Sequence, residues 1–294
     1  MSDNLHRGAR HALAASLAFA IMGAFAKAAA ASGASNLLLV FTRNVVCVLA
    51  LLPWVAKHGV VALKTQRFGG HLWRASFGLA GMATLYYAIA HLTLAEALLL
   101  NYASPLFIPF VAWAVLGERP PAILLPASLI GIAGVLLIVK PTAVSLTPAA
   151  LVGLASGIFA ACAMVSLRRI SDTEPAARVV FYFGTVGLAV TLPLVLGLET
   201  LPPLPVMGPI VGTGLFATLG QLQLTKAYSA APAARIGAVG YSTVIFAGLI
   251  GWLVWGETPD AYSLVGAVLV ITTCLLASWA PSRRRPLATS ICKC

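Results

Sequence analysis

The residues able to do chemistry stand inside apolar runs. Thr84, Tyr87 and His91 follow one another at spacings of three and four, which places them on one face of a helix. Asn101, Ser104, Pro105 and Ile108 share a face of the next run, with Tyr102 beside them. Arg43 and Asn44 lie about seven residues into an earlier run, roughly 10 Å deep at a rise of about 1.5 Å per residue. Gln221 belongs to a stripe of Thr213, Ala217 and Thr225 with a step of four, and Tyr241 follows in a later run. These types suit binding more than catalysis. A guanidinium takes an anionic group, amides and hydroxyls orient polar groups, and tyrosine rings flank an apolar part. P-loop, HExxH and GxSxG motifs are absent, so ATP hydrolysis and familiar hydrolase chemistry lack their residues, and no enzyme is expected.

Each of these residues has a structural alternative. An arginine in hydrocarbon costs roughly 3 kcal/mol or more, so it faces a partner or water. Arg43 can meet an anion in a cavity, or it can snorkel to the nearer headgroups. Asn101 and the tyrosines can serve as interhelical hydrogen bonds. Tyr86 and Tyr102, taken singly, read as packing residues. His91 lies near a turn, where an interface role is commoner than proton transfer. Gln221 and Gln223 cannot share one face. Depth along the runs places Arg43, Tyr87 and Asn101 at one level.

Composition sets the elements that must position them. The chain has 294 residues, 60% of them hydrophobic and 9% charged, with a mean hydropathy of +0.95. Such a chain is an all-α polytopic membrane protein. The net charge of +11 does not indicate nucleic acid, because the basic residues fall in short turns between apolar spans. Ten spans are read near 11–31, 36–56, 72–92, 95–116, 122–140, 149–168, 176–198, 207–228, 233–255 and 260–280. The first is long enough to be an uncleaved helix rather than a signal peptide. Turns carry Gly, Ser and Pro, as at Pro120-Pro121, Pro141 and Pro202-Pro203.

With the N-terminus inside, sixteen of the nineteen Lys and Arg collect on the cytoplasmic face, Arg74 among them. Only Lys27 and Lys140 fall outside, and Arg43 lies within a span. Both termini are therefore expected in the cytoplasm of a bacterial-type cell, with the protein in the inner membrane. The eight acidic residues sit at span ends or in loops, which disfavours coupling through a deep carboxylate. Cys47, Cys162, Cys274, Cys292 and Cys294 form no CxxC pair, so no disulfide, metal or cofactor is expected.

The chain also repeats. A shift of 140 sets Ser16 on Ser156, Phe19 on Phe159 and Pro53 on Pro193. A shift of 139 sets Tyr102 on Tyr241 and Gly117-Glu118 on Gly256-Glu257, and 135 sets Gly131 on Gly266. Five spans per repeat is an odd number, so the halves must face opposite ways across the bilayer, with a site between them. The domains read as 1–140, 141–282 and a basic tail, 283–294. Phe183 stands where Arg43 would repeat.

Two inverted five-helix halves, each closing its fourth helix in Gly-Glu before a proline, resemble the drug/metabolite transporter superfamily in its EamA branch. Arg43-Asn44 and the segment Ala97 to Pro105 look like that family too. The resemblance implies a secondary carrier, most often an exporter of small metabolites, amino acids or drugs. It also implies a cavity among the first, third and fourth helices and their repeat mates. The expected function is export of a small amphipathic or zwitterionic metabolite by alternating access, with an importer or exchanger as the alternative. A lipid-linked substrate flippase would want a phosphate-binding cluster, and Arg43 alone does not supply one. The expected partners are a small-molecule substrate and the lipid bilayer.

Overall fold

The computed structural model describes residues 2–116, 124–139, 147–170, 173–198, 204–230 and 239–279. Every regular element among them is helical. In chain order they are α1 (Ser2–Ala31), α2 (Asn36–His58), α3 (Phe68–His91), α4 (Leu94–Tyr102), α5 (Ser104–Leu116), α6 (Leu124–Val139), α7 (Pro148–Ile170), α8 (Ala176–Leu198), α9 (Leu204–Ala230), α10 (Ser242–Trp255) and α11 (Ala261–Trp279). A short 3-10 turn, Val60–Leu63, links α2 to α3. Four helices contain stretches long and apolar enough to cross a membrane: His6–Ala31, Asn36–His58, Pro148–Leu167 and Ala176–Gly197. Shorter apolar helices include Leu94–Ile108, Ser242–Trp255 and Ala261–Thr273. Leu49, Leu129, Leu196 and Leu253 point outward, as expected where the solvent is lipid.

The termini of these helices follow from local chemistry. Ser35 caps α2 by accepting from the Leu38 N–H at 3.1 Å. Thr93 caps α4 by accepting from the Glu96 N–H at 3.3 Å. The expected single helix over 95–116 is instead two, broken at Ala103. The cause is Pro105, which has no N–H for the Asn101 carbonyl. The Ala103 N–H turns to the Leu100 carbonyl at 3.4 Å. Gly256 ends α10 in a left-handed conformation, φ 66°, with the N–H groups of Gly256 and Glu257 returning to the Trp252 and Gly251 carbonyls.

The helices of the first half pack on those of the second. α1 lies along α9, α3 along α7, α2 against α8 and α9, and α6 against α11. Small residues permit the close crossings. A side chain at Gly157 would meet the Leu100 carbonyl oxygen at 2.6 Å, and one at Gly134 would meet the Gly266 carbonyl at 2.8 Å. The Gly153–Gly157 pair thus serves close packing of α7 on α4. Cys47 and Cys162 are free thiols. The side chain of Cys274, the tail cysteines, the Gly117-Glu118 motif, the 142–146 part of the outer loop, Asp172, Glu199 and residues 231–238 of the ninth span lie outside the description.

Candidate functional site

Two arginines meet at one ring in the middle of the bundle. Arg43 is 3% exposed and Arg74 is 5% exposed. Their guanidinium carbons lie 4.4 Å and 4.7 Å from the centre of the Phe183 ring. Their own separation is therefore no more than the sum of those distances, about 9 Å. Arg43 stands seven residues past the start of α2, and Arg74 six residues past the start of α3. The two helices run in opposite senses, so the side chains approach Phe183 on α8 from opposite ends of the bundle.

Each guanidinium is held but not neutralised. Arg43 Nη1 donates to the Asn44 side-chain oxygen at 3.1 Å, and Asn44 Nδ2 donates to the Val40 carbonyl at 2.9 Å. Asn44 lies in a groove on α8 at Gly187, where a side chain would meet it at 2.5 Å. Arg74 Nη2 reaches the Gln221 side-chain oxygen on α9 at 3.5 Å, the outer limit of a hydrogen bond. Gly78, one turn beyond Arg74 on α3, leaves the space into which that guanidinium folds, since a side chain there would collide with both Arg74 and Phe183. The Nε atoms of both arginines are buried with no hydrogen-bond partner, as is the Tyr86 hydroxyl, which lies in electrostatic range of Arg43. Among the described residues, no carboxylate pairs with either arginine. A desolvated cation–π contact returns about 2 kcal/mol, less than the roughly 3 kcal/mol cost of one arginine at a helix centre. Here one ring is shared by two.

The remaining residues of interest separate into groups. Arg43 does not snorkel, because its head packs on Phe183 inside the bundle. Tyr87 stacks on His91 at 4.3 Å near the end of α3, where His91 is exposed and bonds the Tyr87 carbonyl at 2.8 Å. Thr84 bonds back to the Ala80 carbonyl of its own helix. Asn101 donates to Ser156 on α7 at 3.2 Å, and Thr243 on α10 donates to the Tyr102 hydroxyl at 3.0 Å. Tyr241 is buried against Leu99 and Leu100, and Ser104 is half-buried at the helix break. Arg43, Tyr87 and Asn101, expected at one level, each have different partners: Asn44 and Phe183 for Arg43, His91 for Tyr87 and Ser156 for Asn101. Arg74, read as a loop charge, is instead interior, because α3 starts four residues before the expected span and carries it past the first turn. Gln221 and Gln223 do diverge, since Gln223 bonds His11 at 2.8 Å.

Both ends of the bundle are tied across its halves. At one end Lys27 on α1 forms an ion pair with Glu257, which follows α10. Glu257 Oε2 also accepts from the Leu94 N–H of α4 at 2.9 Å, and Lys27 donates to the Leu92 carbonyl at 2.8 Å. Ser263 on α11 donates to Glu96 on α4 at 2.9 Å. At the other end Glu174 accepts from Thr65 at 2.7 Å and from Arg178 at 2.7 Å, with His71 at 3.5 Å. Burial raises the Glu174 carboxyl, but the hydrogen bonds from Thr65 and Arg178 outweigh that and leave it below the ordinary carboxylate value. Arg178 and Tyr182 also hold the turn after α2 through the Ala62 and Leu63 carbonyls. The buried arginine pair thus lies between two ends that are each tied across the halves.

A family model described as the EamA-like transporter family matches residues 6–140 and again 147–279. The chain belongs to the EamA-like transporter family. The transporter is 34% identical over 278 residues to the pseudopaline exporter of Pseudomonas aeruginosa, covering 94% of this chain and 97% of that one. It is 26% identical over 284 residues to the riboflavin transporter of Vibrio cholerae, covering 95% of each. A solved structure at 19% identity matches its fold with a TM-score of 0.62, over 94% of the transporter and 96% of that chain. The transporter is thus a polytopic helical membrane protein of the drug/metabolite type, with a small-molecule substrate.

Two features of the site were not found in the sequence. Arg74 had a signal, a basic residue followed one turn later by glycine inside an apolar run. The Lys27–Glu257 pair had a weaker one, a lysine just before the end of the first span and the acidic residue of the repeated Gly-Glu.

Proposed function

We propose that this protein is an inner-membrane secondary carrier that exports a small amphipathic or zwitterionic, amino-acid-like metabolite by alternating access. Arg43 holds its anionic group. Gln221 and Asn101 orient polar groups, and tyrosines flank an apolar part. The observation that carries this reading is Arg43 itself, 3% exposed and without a carboxylate partner among the described residues. Export is supported by the relative named as an exporter. Catalysis is not part of the proposal, because the site offers a cation and amides but no nucleophile with a base beside it.

The proposed frame is ten spans in two inverted repeats, 1–140 and 141–282, with the tail 283–294 and both termini in the cytoplasm. Helix pairing supports it. α2 and α8 are each 23 residues long and start 140 positions apart. The α1–α9 and α3–α7 packings exchange under the repeat, and α2–α8 maps on itself. Cysteine labelling from outside is expected to reach a probe in the loop 142–147 but not one in the loop 64–69. The reverse pattern would overturn the orientation.

The function is tested by profiling metabolites in the medium of overexpressing and deleted cells. One small amphipathic compound is expected to rise in the first and fall in the second. Accumulation inside overexpressing cells instead would make the protein an importer.

A further inference from the structure

We propose that Arg43 and Arg74 together form one binding centre for a small molecule carrying two carboxylate groups. This rests on the reading of Arg43 as an anion site and extends it. Both guanidiniums are buried, both pack on Phe183, and neither has a carboxylate among the described residues. Guanidinium stays protonated at any physiological pH, so the centre holds two fixed positive charges within about 9 Å. One carboxylate leaves one charge uncompensated; two neutralise both. Each arginine also retains an unpartnered Nε donor. That donor and an adjacent terminal nitrogen form the fork that takes a carboxylate in bidentate fashion. Phe183 separates and seats the two heads, which accounts for the departure from repeat symmetry. An arginine at position 183 would add a third buried positive charge to the same place.

The geometry also gives each arginine a separate approach. Arg43 comes from one end of the bundle and Arg74 from the other, on antiparallel helices. A molecule with a carboxylate at each end spans the two and ties α2 to α3 and α8 while bound. Gln221 on α9 is the side-chain acceptor within reach of Arg74, at 3.5 Å.

The test uses full-length protein in nanodiscs and its thermal stability. The probes are malonate, succinate, glutarate and adipate, against butyrate and glutaramate at equal ionic strength. At least one dicarboxylate is expected to stabilise the protein at a concentration about tenfold or more below that needed for either monoanion. Arg74→Gln is expected to remove that advantage and leave the monoanion effect, while Gly78→Ala, which displaces the head without changing charge, should weaken it. A binding role also predicts that Arg74→Gln without ligand melts no lower than the parent, because a like-charge contact is relieved. A structural role predicts a clear fall. If monoanions stabilise through Arg43 and dicarboxylates of every length do no better, the second carboxylate is wrong while the Arg43 reading survives. If neither class stabilises folded protein, both are wrong.

Discussion

Arg43→Ala is expected to abolish transport while leaving folded protein in the membrane. Truncating one partner of a buried charged contact costs about 2–5 kcal/mol, which makes substrate binding at least about thirtyfold weaker. Folding should tolerate the change. The side chain is buried at a net cost, bonded to Asn44 and to a ring that also serves Arg74. Arg43→Lys keeps the charge but loses the planar fork, so it should retain partial activity. A lysine head also cannot lie flat on Phe183 while donating to Asn44. Uptake by reconstituted protein, with the folded fraction checked by size-exclusion profile, measures both. Normal transport by Arg43→Ala would move the site toward Gln221 and Tyr241.

Glu257→Gln is expected to open the end of the bundle where α1 meets α10. The Glu257 carboxylate joins three elements, pairing with Lys27 on α1 and accepting from the first N–H of α4. That N–H is an orphan donor at a helix start, where negative charge is favoured. Gly256 throws the carboxylate back over the bundle, and Gly251 leaves room for it, since a side chain there would meet Glu257 at 2.6 Å. The amide keeps an acceptor for Leu94 but loses the ion pair. A loss of about 1.5 kcal/mol shifts the closed population roughly tenfold. Spin labels at Ser32 and Thr258 in a cysteine-free background should then show a longer distance population, with transport reduced. Exchanging the charges, Lys27→Glu with Glu257→Lys, should restore transport only in part, since the ion pair returns but the Leu94 N–H lacks its acceptor. Unchanged distances with unchanged transport would show that the pair is not a gate.

The helical membrane fold was legible because apolar runs of about twenty residues have few other solutions. Spans read at 36–56 and 176–198 meet helices Asn36–His58 and Ala176–Leu198. The break at Ala103 was written in Pro105 but hidden by the continuous apolarity around it. The site was half legible. Arg43 announced itself as a charge far inside a run. Arg74 did not, because hydropathy shows a boundary and not how far a helix extends beyond it or which way a side chain folds. Tyr87 was preferred over Tyr86 by its spacing to Thr84 and His91. Adjacent residues differ by about 100° around a helix, and only the neighbours decide which faces inward. They chose Tyr86, 2% exposed, within range of Arg43. Phe183 was visible as an exception to the repeat, and its meaning waited on the two heads that rest on it. The Lys27–Glu257 tie spans 230 positions, and no local pattern links its partners.

The central claim is that the protein carries an anionic small molecule through a site built on Arg43. Counterflow in proteoliposomes tests it most directly. Vesicles are loaded with the metabolite identified from the medium, and labelled metabolite is added outside with no imposed proton gradient. The account predicts transient accumulation of label with wild-type protein, and none with empty vesicles or folded Arg43→Ala protein. Equal accumulation by wild-type and Arg43→Ala protein, or a strict need for a proton gradient that is lost in Glu96→Gln or His91→Ala, would contradict it.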